Sequence, residues 1–274
     1  MTFSSPFLNQ SHSILPSMLA LPRIPQCGLV TGFPEHVKVV RSLQELQDVG
    51  NCLWQRNFNG IALPSMLASH NELPAAVQHF FETAECNFEV RFSDLGTLSR
   101  RLLRGIRAAG YPDGYPDELR TWVREMLGIC SFVKQESRSS QAIARVATDW
   151  RYGQEFHLDK KDNGTNQGDR LVASSAYYGL QTQTLADADV LAYEHGSNGR
   201  ELSLKPNPTV YMGPERSILI GRSGVNRGLL ESLMRLSATG PRFGLVHRAP
   251  STLDDGSVSV ARRFVFHALA LIRR

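Results

Sequence analysis

The segment QEFHLDKKD sets His157 and Asp159 two residues apart in a short β-like run. An extended chain sends residues i and i+2 to the same face, so an imidazole and a carboxylate point together. Much later, FGLVHRAP ends a second run at His247. Two histidines and one carboxylate leave three neighbouring positions on a metal open, an arrangement that suits non-haem Fe(II). The metal set and the catalytic set are thus the same: His157, Asp159 and His247.

The H-x-D spacing by itself is weak. With 8 His and 26 Asp/Glu in 274 residues, chance supplies roughly 0.8 such pairs. A second one, His70-Asn71-Glu72, stands before Leu73-Pro74 at a helix start, where Asn71 or Glu72 would cap backbone amides. What distinguishes the His157 pair is the surroundings of His247. Arg262 and Arg263 follow it by 15 and 16 residues, at the start of the apolar run RRFVFHALALI. A guanidinium one strand from a metal can hold a distal carboxylate in bidentate fashion, as an organic-acid cosubstrate requires.

These features resemble the Fe(II)/2-oxoglutarate-dependent dioxygenase superfamily, with its H-x-D…H set and an Arg shortly after the last His. A closer resemblance is to an uncharacterised bacterial family catalogued as domain of unknown function 1826. It is carried by CLWQRNFNGIAL, FHLD, RLVASSAYYGLQTQTL and GLVHRAP, spread over about residues 50–270. The resemblance implies a double-stranded β-helix (jelly roll, cupin-like), Fe(II) held by His157, Asp159 and His247, and 2-oxoglutarate and O2 as cosubstrates. It implies a far carboxylate met by Arg262 or Arg263, with family spacing favouring Arg262, and cosubstrate contacts in the stretch from Gln181 to Thr184. The sequence departs from the family pattern at KKDNGTNQG, between Asp159 and Arg170, and at GLQTQ, just before Thr184.

The elements that must position these residues fall into two textures. Residues 1–34, rich in Pro, read as an irregular arm. Residues 35–140 read as mostly helical: a helix from Ser42 with a Ser42/Glu45 capping box, helical register over Glu72–Phe92, a helix over Leu98–Ala109 bearing Arg100, Arg101, Arg104 and Arg107, and one from Asp117 to about Phe132. Residues 141–274 read as eight short strands, over 142–147, 154–158, 170–178, 189–193, 208–212, 217–220, 243–247 and 262–272. The expectation is a mainly β single domain, its jelly-roll core carrying helices outside.

Strand alternation divides Arg263, Val265 and His267 from Arg262, Phe264 and Phe266, so one arginine alone can face the pocket; both stay candidates. Tyr177 and Tyr178 are expected to face opposite ways. Arg170 and Arg248 could hold an anion, although an ion pair is the ordinary fate of such residues. His195 precedes a Gly-Ser-Asn-Gly turn and reads as solvent-facing, and His267 reads as a hydrogen-bonded core histidine.

Composition bounds the partners. The chain carries +4 net charge, with the whole excess in residues 141–274, which fits small anions better than a phosphate backbone. No nucleic-acid motif, G-x-S-x-G elbow, P-loop or zinc-finger spacing occurs. Cys27, Cys52, Cys86 and Cys130 show no C-x-x-C spacing and read as reduced thiols. No apolar stretch approaches the ~20 residues of a membrane span, and no signal peptide is evident. The sequence therefore reads as a cytoplasmic enzyme oxidising a small-molecule, possibly anionic, substrate, with no nucleic acid and no membrane as partner and with its oligomeric state left open. The alternative is a metal-binding or sensing jelly roll using the same ligands for Zn(II), and a third reading is a structural member without metal.

Overall fold

Local signals in the first half are realised largely as written. The computed structural model of the chain describes residues 29–54, 58–149, 156, 170–196, 199–223, 244–248 and 262–271. Strands β1 (Leu29–Thr31) and β2 (Val37–Val39) precede helix α1 (Leu43–Trp54). Ser42 Oγ accepts the Glu45 N–H at 3.1 Å, and Glu45 accepts the Arg41 N–H at 2.8 Å, so the expected capping pair does start the helix. Strand β3 (Gly60–Leu63), helix α2 (Ala75–Thr83), strand β4 (Asn87–Phe92) and helices α3 (Leu95–Ala108) and α4 (Pro116–Glu136) follow.

The helical register expected over Glu72–Phe92 stops at Thr83. Beyond it Val90 and Phe92 are buried while Asn87, Glu89 and Arg91 are exposed, and that period of two makes an edge strand instead of a helix. The irregular arm likewise ends sooner than expected, since β1 lies within it. The stretch 35–140 is less purely helical than read: β2, β3 and β4 all join the large sheet. Each of them is six residues or shorter, too brief for a periodicity window to separate from its helical neighbours.

The second half supplies β5 (Ala142–Asp149), β6 (Arg170–Tyr178), β7 (Gln183–Leu185), β8 (Val190–Gly196), β9 (Gly199–Leu204), β10 (Val210–Met212), β11 (Ile218–Ser223), β12 (His247–Arg248) and β13 (Arg263–Leu271). A seven-stranded sheet runs β2-β3-β11-β6-β13-β5-β4, a four-stranded sheet runs β1-β10-β7-β12, and β8 and β9 form a hairpin. Both larger sheets are mixed, because β1 pairs parallel to β10 and β2 parallel to β3, while the remaining pairs are antiparallel. From β5 onward the chain passes from large sheet to small and back, and β13 inserts between β5 and β6. Among the described residues the protein is mainly β with four helices, none of them long and apolar enough to cross a membrane.

Helices and large sheet share one core. Phe80 and Phe81 of α2, Leu98, Leu102 and Ile106 of α3 and Trp122, Met126, Ile129 and Val133 of α4 pack with Ala144, Val146, Ala173, Ile220, Phe264 and Phe266. Burying each large apolar side chain of this kind contributes roughly 1.5–3 kcal/mol. The sheet's other face is left to Val172, Ser174, Leu219, Val265 and His267, by the alternation of the same strands. At Phe264/Val265 the β6–β13 register shifts, Phe264 pairing with Tyr178 and Val265 with Ala176. This bulge makes Tyr177 the extra residue, so the expected opposition of Tyr177 and Tyr178 fails: both pack against the helix-side cluster.

Candidate functional site

On the face of the large sheet away from the helices, Val172 and Ser174 of β6 and Leu219 and Gly221 of β11 combine with Thr182, Arg222, Leu245 and His247 around a small pocket. Apolar groups set its walls, and hydroxyls, an imidazole and a guanidinium supply polar contacts, the usual composition of a small-molecule site.

His247 belongs to a short segment tied on both sides. Leu245 N–H donates to Arg222 O at 2.9 Å on the large sheet, and Leu185 N–H donates to Val246 O at 3.3 Å on the small one. The His247 Nδ1 lies 3.1 Å from Leu245 O. A carbonyl can only accept, so Nδ1 carries the proton and Nε2 keeps the lone pair that a metal requires. Directly across β7, Thr184 is the register partner of His247. Its Oγ1 is buried and has no hydrogen-bond partner among the described residues, the kind of orphan that a bound ligand or water accounts for.

His157 and Asp159 lie outside the described residues, and among the described residues no group of three metal-binding side chains occurs. Phe156, which immediately precedes His157, is described. It packs beside Val246 and Leu185 on the small sheet, with the Arg248 guanidinium carbon 4.2 Å from its ring centroid. Arg248 is buried and donates from Nε to Gln183 Oε1 at 2.7 Å. An amide and an aromatic face thus hold it among the described residues; Asp162 and Asp169, the partners expected for an ion pair, lie outside them.

The two candidate anion anchors part company. Arg262 donates to Phe81 O and Ala84 O, each at 2.5 Å, so its guanidinium closes the C-terminal end of α2, where carbonyls lack helical partners. Arg263 is only 5% exposed and donates from Nη2 to Thr182 Oγ1 at 3.3 Å, which in turn is 3.4 Å from Ser174 Oγ. The residue favoured by family spacing therefore faces the helices, and its neighbour reaches the pocket wall. Gly179 packs closely against the start of this strand: its φ is +83°, and a Cβ there would stand 2.5 Å from Arg262 O. Only glycine meets both demands.

Arg170 opens β6 opposite Leu271, at the strand end away from Arg263. His267 is half-buried on the inner face, with Arg145 and Ser174 as its register partners. His195 lies in β8, and Ser197 and Asn198, where the turn is expected, are outside the described residues. Cys86 and Cys130 are buried free thiols, and burial pushes Cys86 up to about 11, so neither is a nucleophile at neutral pH.

Sequence reasoning missed Ser174 and Leu245. The signal was present in the period of two: Ser174 shares a face with Arg170 and Val172, and Leu245 shares one with His247. It also missed Glu125, which is fully buried in α4. Its carboxylate accepts from Ser65 Oγ at 2.8 Å, from Tyr177 Oη at 2.6 Å and from the Met66 N–H. Its place at i+3 from Trp122 and i−4 from Ile129 marks it as part of the inward stripe.

No protein-family model matches the chain, so the resemblance to the bacterial family rests on the quoted segments alone. No curated protein matches it either. Among solved structures, the chain is similar to the 2-oxoglutarate complex of a dioxygenase for auxin oxidation from Arabidopsis thaliana, with 9% identity and a TM-score of 0.37 over 87% of this chain and 93% of that one. It is also similar to a dioxygenase for auxin oxidation in rice, with 11% identity and a TM-score of 0.37 over 86% of this chain and 83% of that one. Both likenesses are remote.

Proposed function

We propose that the protein is an Fe(II)/2-oxoglutarate-dependent oxygenase acting on a small molecule, and that its sheets are the two walls of a double-stranded β-helix. The alternating passage of β5 to β13 between a large and a small sheet supports the fold reading. The observation that carries the functional one is the contact between Phe156 and Arg248. Each is the immediate neighbour of a candidate ligand, and consecutive side chains of extended chain alternate in direction. A contact between the neighbours on one face supports His157 and His247 as partners on the other, with Asp159 two residues from His157.

His157, Asp159 and His247 would hold the metal, and the residues fit one: Nδ1 of His247 is occupied by a carbonyl, the arrangement that fixes a ligating tautomer. Arg263 is the anchor for the distal carboxylate of 2-oxoglutarate, Thr184 offers a buried hydroxyl beside His247, and Arg170 is a secondary anion contact. When bound, iron, 2-oxoglutarate and O2 together would supply an oxidant able to attack a C–H bond, the O2 oxygens going to succinate and to the substrate and CO2 being released. The chain's own task is to ligate, to orient the cosubstrate through Arg263 and to keep water out with Val172, Leu219 and Leu245.

Anaerobic addition of Fe(II) and then 2-oxoglutarate should give a visible metal-to-cosubstrate charge-transfer band, lost in His157→Ala and weakened in Arg263→Ala. Tight Zn(II) binding with no such band would replace the oxygenase by a metal-sensing protein.

A further inference from the structure

Two glycines lie under the leucine that precedes His247 by two residues. A Cβ built on Gly221 would stand 2.6 Å from Leu245 Cδ2 and 2.8 Å from Leu245 Cβ. Turning the leucine side chain relieves the first contact. It leaves the second untouched, because Cβ moves only with the backbone. At Gly60 a Cβ would meet only the tip of the same leucine, at 3.2 and 3.3 Å, and Ile220 O at 3.3 Å.

The Leu245 backbone is the part of the site that governs His247. Its N–H is bonded to Arg222 O, in the residue after Gly221, at 2.9 Å, and its carbonyl sits 3.1 Å from His247 Nδ1. We infer that Gly221 is a positioning residue: its missing side chain seats the Leu245 backbone against β11, and that seat presents the carbonyl that holds the His247 proton on Nδ1. The inference rests on the metal site proposed above. A methyl group at 221 displaces the Leu245 backbone, the carbonyl leaves Nδ1, and the ring loses its preference for the tautomer with a lone pair on Nε2. A methyl group at 60 presses on a movable side-chain end and leaves the carbonyl where it is.

The test uses the full chain, metal-free and with neutral imidazoles, and reads the ring 15N shifts of His247, assigned by their loss in His247→Gln. Zn(II) affinity and thermal unfolding are measured on the same samples. Wild type and Gly60→Ala are expected to show the Nδ1–H tautomer and equal affinity. Gly221→Ala is expected to show a mixed or Nε2–H ring and to bind Zn(II) about 10-fold more weakly or worse, as when an outer hydrogen bond to a ligating histidine is lost. Gly221→Ala/Leu245→Gly, which removes the clashing Cβ, should return the Nδ1–H signal and keeps the question answerable if Gly221→Ala does not fold. A Gly221→Ala protein with wild-type tautomer and affinity overturns the inference, as does a double variant still lacking the Nδ1–H signal. A wild type that shows the Nδ1–H tautomer and binds no divalent ion overturns the oxygenase reading and leaves the glycine seat standing.

Discussion

Phe156 lies under the guanidinium of Arg248, with 4.2 Å between the guanidinium carbon and the ring centroid, and this contact joins the segment leading to His157 with the strand bearing His247. A desolvated cation–π pair contributes about 2 kcal/mol. Arg248→Met keeps the stem and removes the charge, so it should weaken Fe(II) binding by roughly 10-fold or more and lower stability by about 2 kcal/mol. Anaerobic metal titration with parallel melts checks this, and an unchanged affinity would detach the contact from the metal site.

Arg262 and Arg263 should fail in different ways. Arg263→Gln is expected to raise the concentration of 2-oxoglutarate needed for half-saturation by at least about 10-fold, as loss of a charged hydrogen-bond pair does, with stability nearly preserved. Arg262→Gln removes two charged bonds to the end of α2 and should cost about 1.5–3 kcal/mol of stability, with cosubstrate affinity intact. Cosubstrate titration and urea unfolding on the two variants separate the roles, and exchanged phenotypes would restore Arg262 as the anchor.

Much of this division was legible in the sequence, and the part that was not has a physical origin. Strand β6 runs over Arg170–Tyr178, the span read from its alternation, and α4 follows its apolar stripe. Alternation also showed that Arg262 and Arg263 face opposite ways. Which one faces inward depends on which side of β13 the helices occupy, a tertiary fact with no local signature. The failed opposition of Tyr177 and Tyr178 has a similar source, because one extra residue in a bulge undoes a period-two argument from that point on. Strand β4 was hidden because Phe88, Val90 and Phe92 follow a helix that already carries Phe80 and Phe81.

His36 sets an expected pH dependence. Its Nε2 accepts the Asp187 N–H at 3.2 Å, and burial is the main influence, holding its pKa below the ordinary histidine value of 6.5. Between the folded and unfolded values the unfolded chain therefore binds more protons, so stability rises with pH across that window and is lost on acidification through it. Thermal melts from neutral pH downward should show this slope, and His36→Gln should flatten it. A slope unchanged in the variant would assign it to other groups.

Glu125 is expected to act in the opposite sense. Burial raises its pKa, against the pull of Tyr177, Met66 and Ser65 as donors. The folded chain thus takes up a proton more readily than the unfolded one, and stability declines as pH climbs from the usual carboxylate range toward the raised value. Glu125→Ala leaves the buried Tyr177 hydroxyl and the part-buried Ser65 and Met66 donors without their acceptor and should cost about 1–3 kcal/mol for each donor left unsatisfied, whereas Tyr177→Phe removes one bond to the carboxylate, about 1.5–3 kcal/mol. Urea unfolding of both orders them, and a Glu125→Ala protein as stable as wild type would contradict the network.

The place of β13 between β5 and β6 carries a consequence for the order of synthesis. More than a hundred residues separate Ala142 from Arg263, so on the ribosome β5 and β6 are finished long before the strand that joins them. Until then each presents an open edge beside a half-built core, which is the template that aggregation uses. Closure of the sheet, helix packing against Phe264 and Phe266, and delivery of Arg263 to the pocket then come as one late event. Nascent chains halted before residue 263 should accordingly need a chaperone, and the release of that need should coincide with the first appearance of the pocket.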